Sequence, residues 1–163
     1  MNVAALAIPD PEGSYIAEDI IELARKRGAD IIYVTETYRV SLGEEELLLY
    51  PPLAWSDENE RGMTVLSIGS LNVLITGDMS APGERSLLRY AVIPAIDVLV
   101  VGHHGSRFSS SEELLQATKP RFAIISVGNN SYGHPSAETL ERLYGYGAQV
   151  LRTDQSGDIV IGG

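Results

Sequence analysis

The sequence contains no cysteine, which excludes both a disulfide framework and a thiolate metal site. It also lacks any apolar run approaching the roughly 20 residues that a helix needs to cross a bilayer. Basic residues are scarce, because 12 lysines and arginines stand against 22 acidic residues and leave a net charge of −10. This balance excludes a broad basic surface for nucleic acid, since such binding depends on Lys and Arg neutralising phosphates. A small, metal-bridged contact with a phosphodiester stays compatible with an acidic surface.

What is present is typical of an ordinary globular chain. Hydrophobic residues make up 44% of the 163 residues, and the mean hydropathy is close to zero at +0.02. A chain of this length can bury a substantial core within one domain. We find no internal repeat, low-complexity tract or linker, and therefore predict a single unit over residues 1–163.

The order of elements predicts an α/β fold. A first strand over Met1–Pro9, a helix over Tyr15–Arg27 with Ser14 as its N-cap, and a strand over Ile31–Thr35 form a βαβ unit. Further along, Gly69-Ser70 separates two strands as a two-residue hairpin turn.

The end of the chain predicts a second hairpin. Its strands are Gln149–Arg152 and Ile159–Ile161, and Asp154–Gly157 connects them. This hairpin would close the sheet at its last edge.

Polar side chains follow three of the predicted strands. Asp78 follows an apolar strand that ends at Thr76, His103 and His104 follow the strand Asp97–Val101, and His134 follows Phe122–Val127. Because strand ends in α/β folds present loops at one edge of the sheet, we expect these side chains to lie together. Neutral imidazoles and a carboxylate are the ligand set of zinc, manganese or iron.

Each of these residues also has a structural interpretation. Asp78 is equally well placed to cap the following helix. A lone histidine is usually structural, but three separate loops that bring Asp, His-His and His to one edge favour a site. The serines that follow the histidine pair are interpreted as a helix cap at Ser111, because no nucleophile elbow accompanies them.

Four short motifs resemble a known family. They are Ile75-Thr76-Gly77-Asp78, His103-His104-Gly105-Ser106, Gly133-His134-Pro135 and Arg152-Thr153-Asp154. At these separations they resemble the metallo-β-lactamase-like domain of the competence DNA-uptake ComEC family. The resemblance extends over most of the chain and is densest from Leu74 to Ile161.

This resemblance implies an αββα sandwich with a metal site at one edge. Members of the superfamily generally bind two metal ions and use a metal-bound hydroxide to hydrolyse an ester or amide. The expected metal is zinc or manganese, with Asp78, His103 and His134 as candidate ligands. His103 and His104 are the candidate catalytic residues, and the pair supplies either a ligand or a proton donor to the leaving group.

The sequence departs from the family in one respect. Nothing in it matches the H-x-H-x-D-H motif, and no histidine precedes His103. We therefore expect a partial domain that is incomplete at its N-terminus. Two metal centres need about six to eight protein ligands, so this chain alone is expected to bind metal weakly and to show little or no hydrolase activity.

Three functions follow from the resemblance. The first is a nuclease or phosphoesterase domain of a bacterial DNA-uptake membrane protein, the second a non-catalytic docking module of the DNA channel, and the third a small-substrate hydrolase of the same superfamily. The expected partners are DNA in transient contact and other domains of the channel. A homodimer through exposed sheet edges is also expected. The expected location is the soluble, extracytoplasmic part of the membrane protein.

Overall fold

The computed structural model describes residues 3–9, 18–54 and 58–162. Its five helices in this part of the chain are α1 (Glu18–Lys26), α2 (Ala81–Tyr90), α3 (Glu112–Thr118), α4 (Ala137–Gly145) and α5 (Thr153–Ser156). Its strands there are β1 (Ala5–Pro9), β2 (Asp30–Val34), β3 (Tyr38–Leu42), β4 (Glu45–Tyr50), β5 (Thr64–Ile68), β6 (Val73–Ile75), β7 (Val98–Val100), β8 (Phe122–Ile125) and β9 (Gln149–Arg152). Short 3₁₀ turns span Glu58–Arg61 and Gly102–Gly105.

The predicted βαβ unit is present at the start of the chain. Strands β1 and β2 pair in parallel as a two-stranded sheet, and α1 lies between them in sequence. Acidic residues begin α1 and basic residues end it, which suits the helix dipole. The predicted helix start at Tyr15 and the cap at Ser14 lie outside the described residues.

The larger sheet has seven strands in the order β3-β4-β5-β6-β7-β8-β9. Its first half is antiparallel, and β5 and β6 form the predicted hairpin. The predicted two-residue turn is wrong, because the connection spans residues 69–72, where the Asn72 amide donates to the Asp97 carboxylate. From β6 to β9 every pair is parallel. Parallel neighbours end at the same edge of a sheet, so the loops after β6, β7 and β8 meet there.

The main core lies between this sheet and helices α2, α3 and α4. Eight fully buried aliphatic side chains form its centre: Leu66, Leu74, Leu87, Leu99, Leu114, Leu115, Ile125 and Leu143. Strand β7 occupies the middle of the parallel half and buries Leu99 completely, which explains its continuous apolar sequence. Within the described residues, every helix is too short or too polar to span a bilayer.

The predicted closing hairpin is wrong. Gln149–Arg152 forms β9 as expected, but the chain then enters α5, and Ile159–Ile161 is not a strand. The Thr153 hydroxyl donates to the Val127 carbonyl oxygen at 2.8 Å and accepts from the Val127 amide at 2.8 Å. These bonds attach the residue after β9 to the end of β8, so the chain turns across the sheet edge and does not return along β9.

Candidate active site

The histidine pair occupies a tight turn directly after β7. His103 and His104 both have positive φ angles, 48° and 54°, which side chains other than glycine seldom adopt. The backbone amide of His103 donates to the Gly77 carbonyl oxygen at 2.9 Å. Gly102 permits this approach, because a Cβ there would lie 3.0 Å from Thr76 Oγ1. The turn is thus packed against the loop that contains Asp78.

A second close contact brings His134 to the histidine pair. Gly105 has a φ of 84°, and a Cβ at that position would lie 2.6 Å from Pro135 Cβ. The Ser136 amide also donates to the Gly105 carbonyl oxygen at 2.9 Å. As a result, the imidazole rings of His103 and His134 lie edge to face with their centroids 5.5 Å apart.

His104 is oriented by the end of β8. Its Nδ1 lies 2.7 Å from the Ser126 carbonyl oxygen, which can only accept a hydrogen bond. The proton therefore sits on Nδ1, and in the neutral ring Nε2 is the acceptor. A backbone carbonyl that fixes one ring nitrogen in this way leaves the other free for a ligand or a proton.

The environment of His134 favours its neutral form. Partial burial lowers the pKa of this imidazole, and the nearby His103, His104 and Arg107 lower the pKa further. A neutral imidazole can accept a proton or bind a metal ion.

The loop that contains His134 is held by one side chain, that of Asn130. Its amide nitrogen donates to the carbonyl oxygens of Gly128 and His134, at 3.0 and 2.8 Å. Its amide oxygen accepts from the backbone amides of Tyr132 and His134, both at 3.1 Å. The exposed Tyr132 ring, stacked on His134 with an interplanar angle of 22°, is thereby fixed at the rim of the site.

Asp78 is exposed in the loop between β6 and α2. The N-cap of α2 is Ser80, so the interpretation of Asp78 as the helix cap is wrong. The carboxylate of the buried Glu60 takes over the capping role and accepts from both the amide and the hydroxyl of Ser80. Asp78 therefore does not have this structural role, and it directly follows Gly77, whose carbonyl oxygen accepts from the His103 amide.

A second buried glutamate supports the loop after the histidine pair. Glu84, on α2, is fully buried, and its two oxygens accept from the amides of Ser110 and Ser111 at 2.6 and 2.7 Å. Burial raises the pKa of this carboxyl, while the hydrogen bonds from Ser111 and Ser110 and the charge of Arg142 oppose the rise. Ser111 caps α3 as predicted, accepting from the Leu114 amide.

Arg142 completes this support from α4. Its guanidinium donates to the carbonyl oxygens of Arg107, Ser109 and Ser110 at 2.9 to 3.1 Å. Two long-range side chains, one on α2 and one on α4, thus hold the segment from Arg107 to Ser111.

A divalent ion would need several ligands from the side chains at this edge of the sheet. Imidazole and carboxylate are chemically suitable for zinc or manganese. However, within the part of the chain that the structure describes, no group of three or more His, Asp and Glu side chains lies close enough to hold an ion. These residues by themselves therefore do not fit a metal centre, and Asp78, His103 and His134 stay predicted ligands.

Comparison with curated proteins identifies relatives concerned with competence. The chain is 36% identical over 148 residues to ComE operon protein 3 of Bacillus subtilis, covering 87% of this chain and 19% of that protein. It is 38% identical over 109 residues to Competence protein ComA of Neisseria gonorrhoeae, covering 65% of this chain and 16% of that protein. The chain belongs to the ComEC-like metallo-β-lactamase domain family.

A third relative agrees with this assignment. The ComEC-like domain is 39% identical over 105 residues to Recombination protein 2 of Haemophilus influenzae, covering 64% of the chain and 13% of that protein. The chain therefore spans 19% or less of the length of these relatives. No family profile matches the chain.

Solved structures confirm the fold of the ComEC-like domain. CmlA, a diiron β-hydroxylase from Streptomyces venezuelae, matches with a TM-score of 0.61 at 14% identity, over 92% of this chain and 38% of that one. A second CmlA structure gives a TM-score of 0.57 at 15% identity, over 91% of this chain and 38% of that one. The predicted αββα sandwich is confirmed.

Several residues of the site were missed by sequence reasoning. Glu84 and Arg142 act through contacts between distant parts of the chain, and no local pattern marks them. Asn130 bonds only within its own loop, two to four residues away, so an asparagine in a glycine-rich turn was an available local signal. Arg107 and Phe108 could have been noticed, because a basic residue and an aromatic directly after a histidine turn are unusual in a loop.

Proposed function

We propose that this chain is the phosphodiester-hydrolysing domain of a competence DNA-uptake membrane protein. The convergence of His103, His104 and His134 in one place, with His103 and His134 in ring contact, is the observation that supports it most directly. Imidazoles are the side chains best suited to moving protons near neutral pH. The names of the competence relatives favour DNA as the phosphodiester.

The chemistry assigns separate tasks to the imidazoles. Neutral His134 accepts a proton from the water molecule that attacks phosphorus, so a new P–O bond forms as the proton leaves. The opposite ester P–O bond breaks, and the leaving oxygen takes a proton from Nε2 of protonated His104. The Ser126 carbonyl keeps that ring in position, since its bond to Nδ1 persists in both protonation states.

The divalent ion is a separate part of the proposal. The solved structural neighbour is named as a diiron enzyme, which supports metal use in the superfamily. Asp78, His103 and His134 are proposed as this chain's contribution to binding zinc or manganese. With an ion bound, His134 would be a ligand and not the base, because its one free lone pair would be on the metal. Calorimetric titration of the chain with each ion, compared with Asp78→Ala, measures that contribution. Equal affinity in both proteins would remove Asp78 from the ligand set.

The hydrolase is best tested in a chimera. The matching 148-residue segment of ComE operon protein 3 is replaced by this chain, and DNA cleavage is measured with EDTA or with manganese. We expect cleavage that His134→Ala or His104→Ala reduces by about 10²-fold or more, as for loss of an acid or base. Tyr144→Phe, on the exposed face of α4, is the control and should cleave normally.

Two outcomes of the chimera would overturn the proposal. One is DNA cleavage that is unchanged in both His134→Ala and His104→Ala. The other is an inactive chimera when the unaltered relative cleaves DNA under the same conditions. Cleavage of bis(p-nitrophenyl) phosphate without cleavage of DNA would instead favour a small-substrate hydrolase.

The docking module is the second candidate, and α1 favours it. Its apolar residues Ile20 and Leu23 are both 51% exposed, which is unusual for the inner face of an amphipathic helix. A chimera that supports DNA uptake with all three histidines replaced would favour docking over hydrolysis.

Membrane attachment and an extracytoplasmic position belong to the same proposal. The relatives that support it are competence proteins much longer than this chain. Protease added to intact cells should cleave an epitope placed in this domain, and full protection would place the domain inside the cytoplasm.

A further inference from the structure

Two cavities flank the ring of Tyr132. One, of about 590 Å³, is lined by His103, Arg107, Phe108 and Tyr132 among others. The second, of about 380 Å³, is lined by His104, Asn129, Tyr132 and Thr153 among others. His134 also lines both. Each volume lies within the roughly 300–1,000 Å³ of small-ligand sites, so each can take a group the size of a nucleotide.

The aromatic side chains of the larger cavity are unusually exposed. Tyr132 is 82% exposed and Phe108 is 67% exposed, although both lie on supported loops. The four hydrogen bonds of Asn130 fix the Tyr132 loop, and Arg142 donates to the carbonyl oxygen of Arg107, next to Phe108. A rigid, exposed ring loses little conformational freedom when a flat ligand stacks on it.

Among the residues that line the larger cavity, Arg107 carries the positive charge that suits a phosphate. The Arg107 guanidinium lies 5.6 Å from the centre of the Phe108 ring and lines the same cavity as His134. Glu138 lines the same cavity, and its carboxylate opposes the binding of anions. With a net charge of −10, the chain offers little general attraction to a phosphate backbone. Binding here must depend on flat faces more than on charge.

We propose that Tyr132 and Phe108 are stacking positions for unpaired bases of the strand whose phosphodiester reaches the histidines. One base stacks on the face of Tyr132 that His134 leaves open, a neighbouring base stacks on Phe108, and Arg107 contacts a phosphate. A paired base has both faces covered by its neighbours, so the site selects a single strand or a frayed end. This inference deepens the proposed function and rests on it for the identity of the ligand as a phosphodiester.

Fluorescence anisotropy with labelled dT₁₂ tests the stacking. The measurement is made in EDTA on the 163-residue chain. Tyr132→Ala should weaken binding by roughly 5- to 150-fold, the effect of losing one stacked base. Tyr132→Phe keeps the ring and should bind as the parent does. Tyr144→Ala is the matched control, because Tyr144 is also an exposed tyrosine but lines neither cavity.

Three further measurements sharpen the result. An abasic oligomer of the same length should bind weakly to the parent and no more weakly to Tyr132→Ala. A duplex should bind less tightly than dT₁₂. The slope of the logarithm of affinity against the logarithm of salt concentration should be about −0.7, the value for one phosphate contact on a single strand. Circular dichroism confirms that each variant is folded.

The proposal is overturned if dT₁₂ does not bind, if Tyr132→Ala binds as tightly as the parent, or if the abasic oligomer binds as tightly as dT₁₂. These readouts do not involve hydrolysis. Histidine-dependent cleavage with no effect of Tyr132→Ala on binding would therefore refute stacking and leave the proposed function intact. Stacking without cleavage would do the reverse.

Discussion

The N-terminal βαβ unit and the seven-stranded sheet stabilise their helices in different ways. Helix α1 buries none of its described residues, whereas α2 buries Leu87 and Glu84, and α3 buries Leu114 and Leu115. Ile8 and Val34 are buried in β1 and β2, but neither belongs to the main core cluster. Both regions contain regular strand-helix-strand units, but the helices of the seven-stranded sheet bury side chains in the main core and α1 does not.

The largest expected effect distinguishes the two regions by cavity formation. Leu99→Ala removes a fully buried side chain in the middle of the sheet and should lower the free energy of unfolding by about 2–5 kcal/mol. Leu23→Ala on α1 should cost no more than about 0.5 kcal/mol, as is usual for surface positions. Urea denaturation of both variants checks the difference. Equal losses would show that α1 is packed against apolar surface.

Gly105→Ala tests the contact that joins the histidine loops. The left-handed backbone costs alanine roughly 1–2 kcal/mol, and its methyl group must also displace Pro135. We expect a lower melting temperature and, by NMR, larger shifts for His103 and His134 than for α1. Gly28→Ala is the control from the N-terminal unit, since Gly28 also has a positive φ but open space around it. Equal destabilisation would assign the whole cost to backbone strain.

Glu84→Gln tests the buried support. The glutamine side chain would place its NH₂ group, which is a donor, opposite one of the two backbone N–H groups that now bind Glu84. A buried donor left without an acceptor costs about 1–3 kcal/mol. Glu22→Gln, which removes an exposed pair with Lys26 on α1, should change stability by less than about 0.5 kcal/mol. Urea denaturation near neutral pH measures both. A neutral Glu84→Gln would mean that the loop relaxes to satisfy its own amides.

Glu84→Gln should also change how the free energy of unfolding depends on pH. Because burial raises the pKa of Glu84, the folded chain holds this proton at pH values where the unfolded chain has lost it. The contribution of Glu84 to stability therefore falls as pH rises from the ordinary pKa of glutamate to the raised value. Glu84→Gln should lack this component of the stability profile, and an unchanged profile would contradict the assignment.

The smallest effect on stability concerns association. Strand β3 is an edge of the seven-stranded sheet, and Leu42 at its end is 60% exposed. We propose that such edges pair in a homodimer, and that Leu42→Lys shifts the chain toward monomer with little change in stability. Sedimentation velocity distinguishes dimer from monomer. Val160→Lys, which replaces an exposed apolar residue of the C-terminal segment, is the control. A monomeric parent chain would end the dimer proposal.

The sequence allowed the strand ends to be predicted because apolar runs and turn residues are local signals. The parallel half of the sheet then brought the Asp78, His103 and His134 loops to one edge, as expected. The prediction of the closing hairpin was wrong because it depends on a long-range contact, which hydrophobic periodicity does not reveal. Gly157 does have a positive φ, but the side chain of Thr153 binds to Val127, two residues after β8 and 26 residues earlier in the chain, and the chain enters α5.

The support of the site was equally invisible in the sequence. Glu84 and Arg142 each reach across more than 20 residues to the same loop, and a glutamate on a helix usually faces solvent. The exclusion of Asp78 as a helix cap likewise required the position of Glu60. Such pairings depend on the final packing and have no preferred spacing along the chain.

The two buried glutamates affect how a mutational scan of this domain should be interpreted. Glu60 fixes the start of α2 after the Asp78 loop, and Glu84 fixes the start of α3 after the histidine turn. Substitution of either should lower activity by loosening a loop of the site, although neither carboxylate needs to meet the substrate. Acidic residues whose loss lowers activity are often taken for ligands or general bases. Here, recovery of function on cooling would distinguish a carboxylate that holds the scaffold from one that takes part in the reaction.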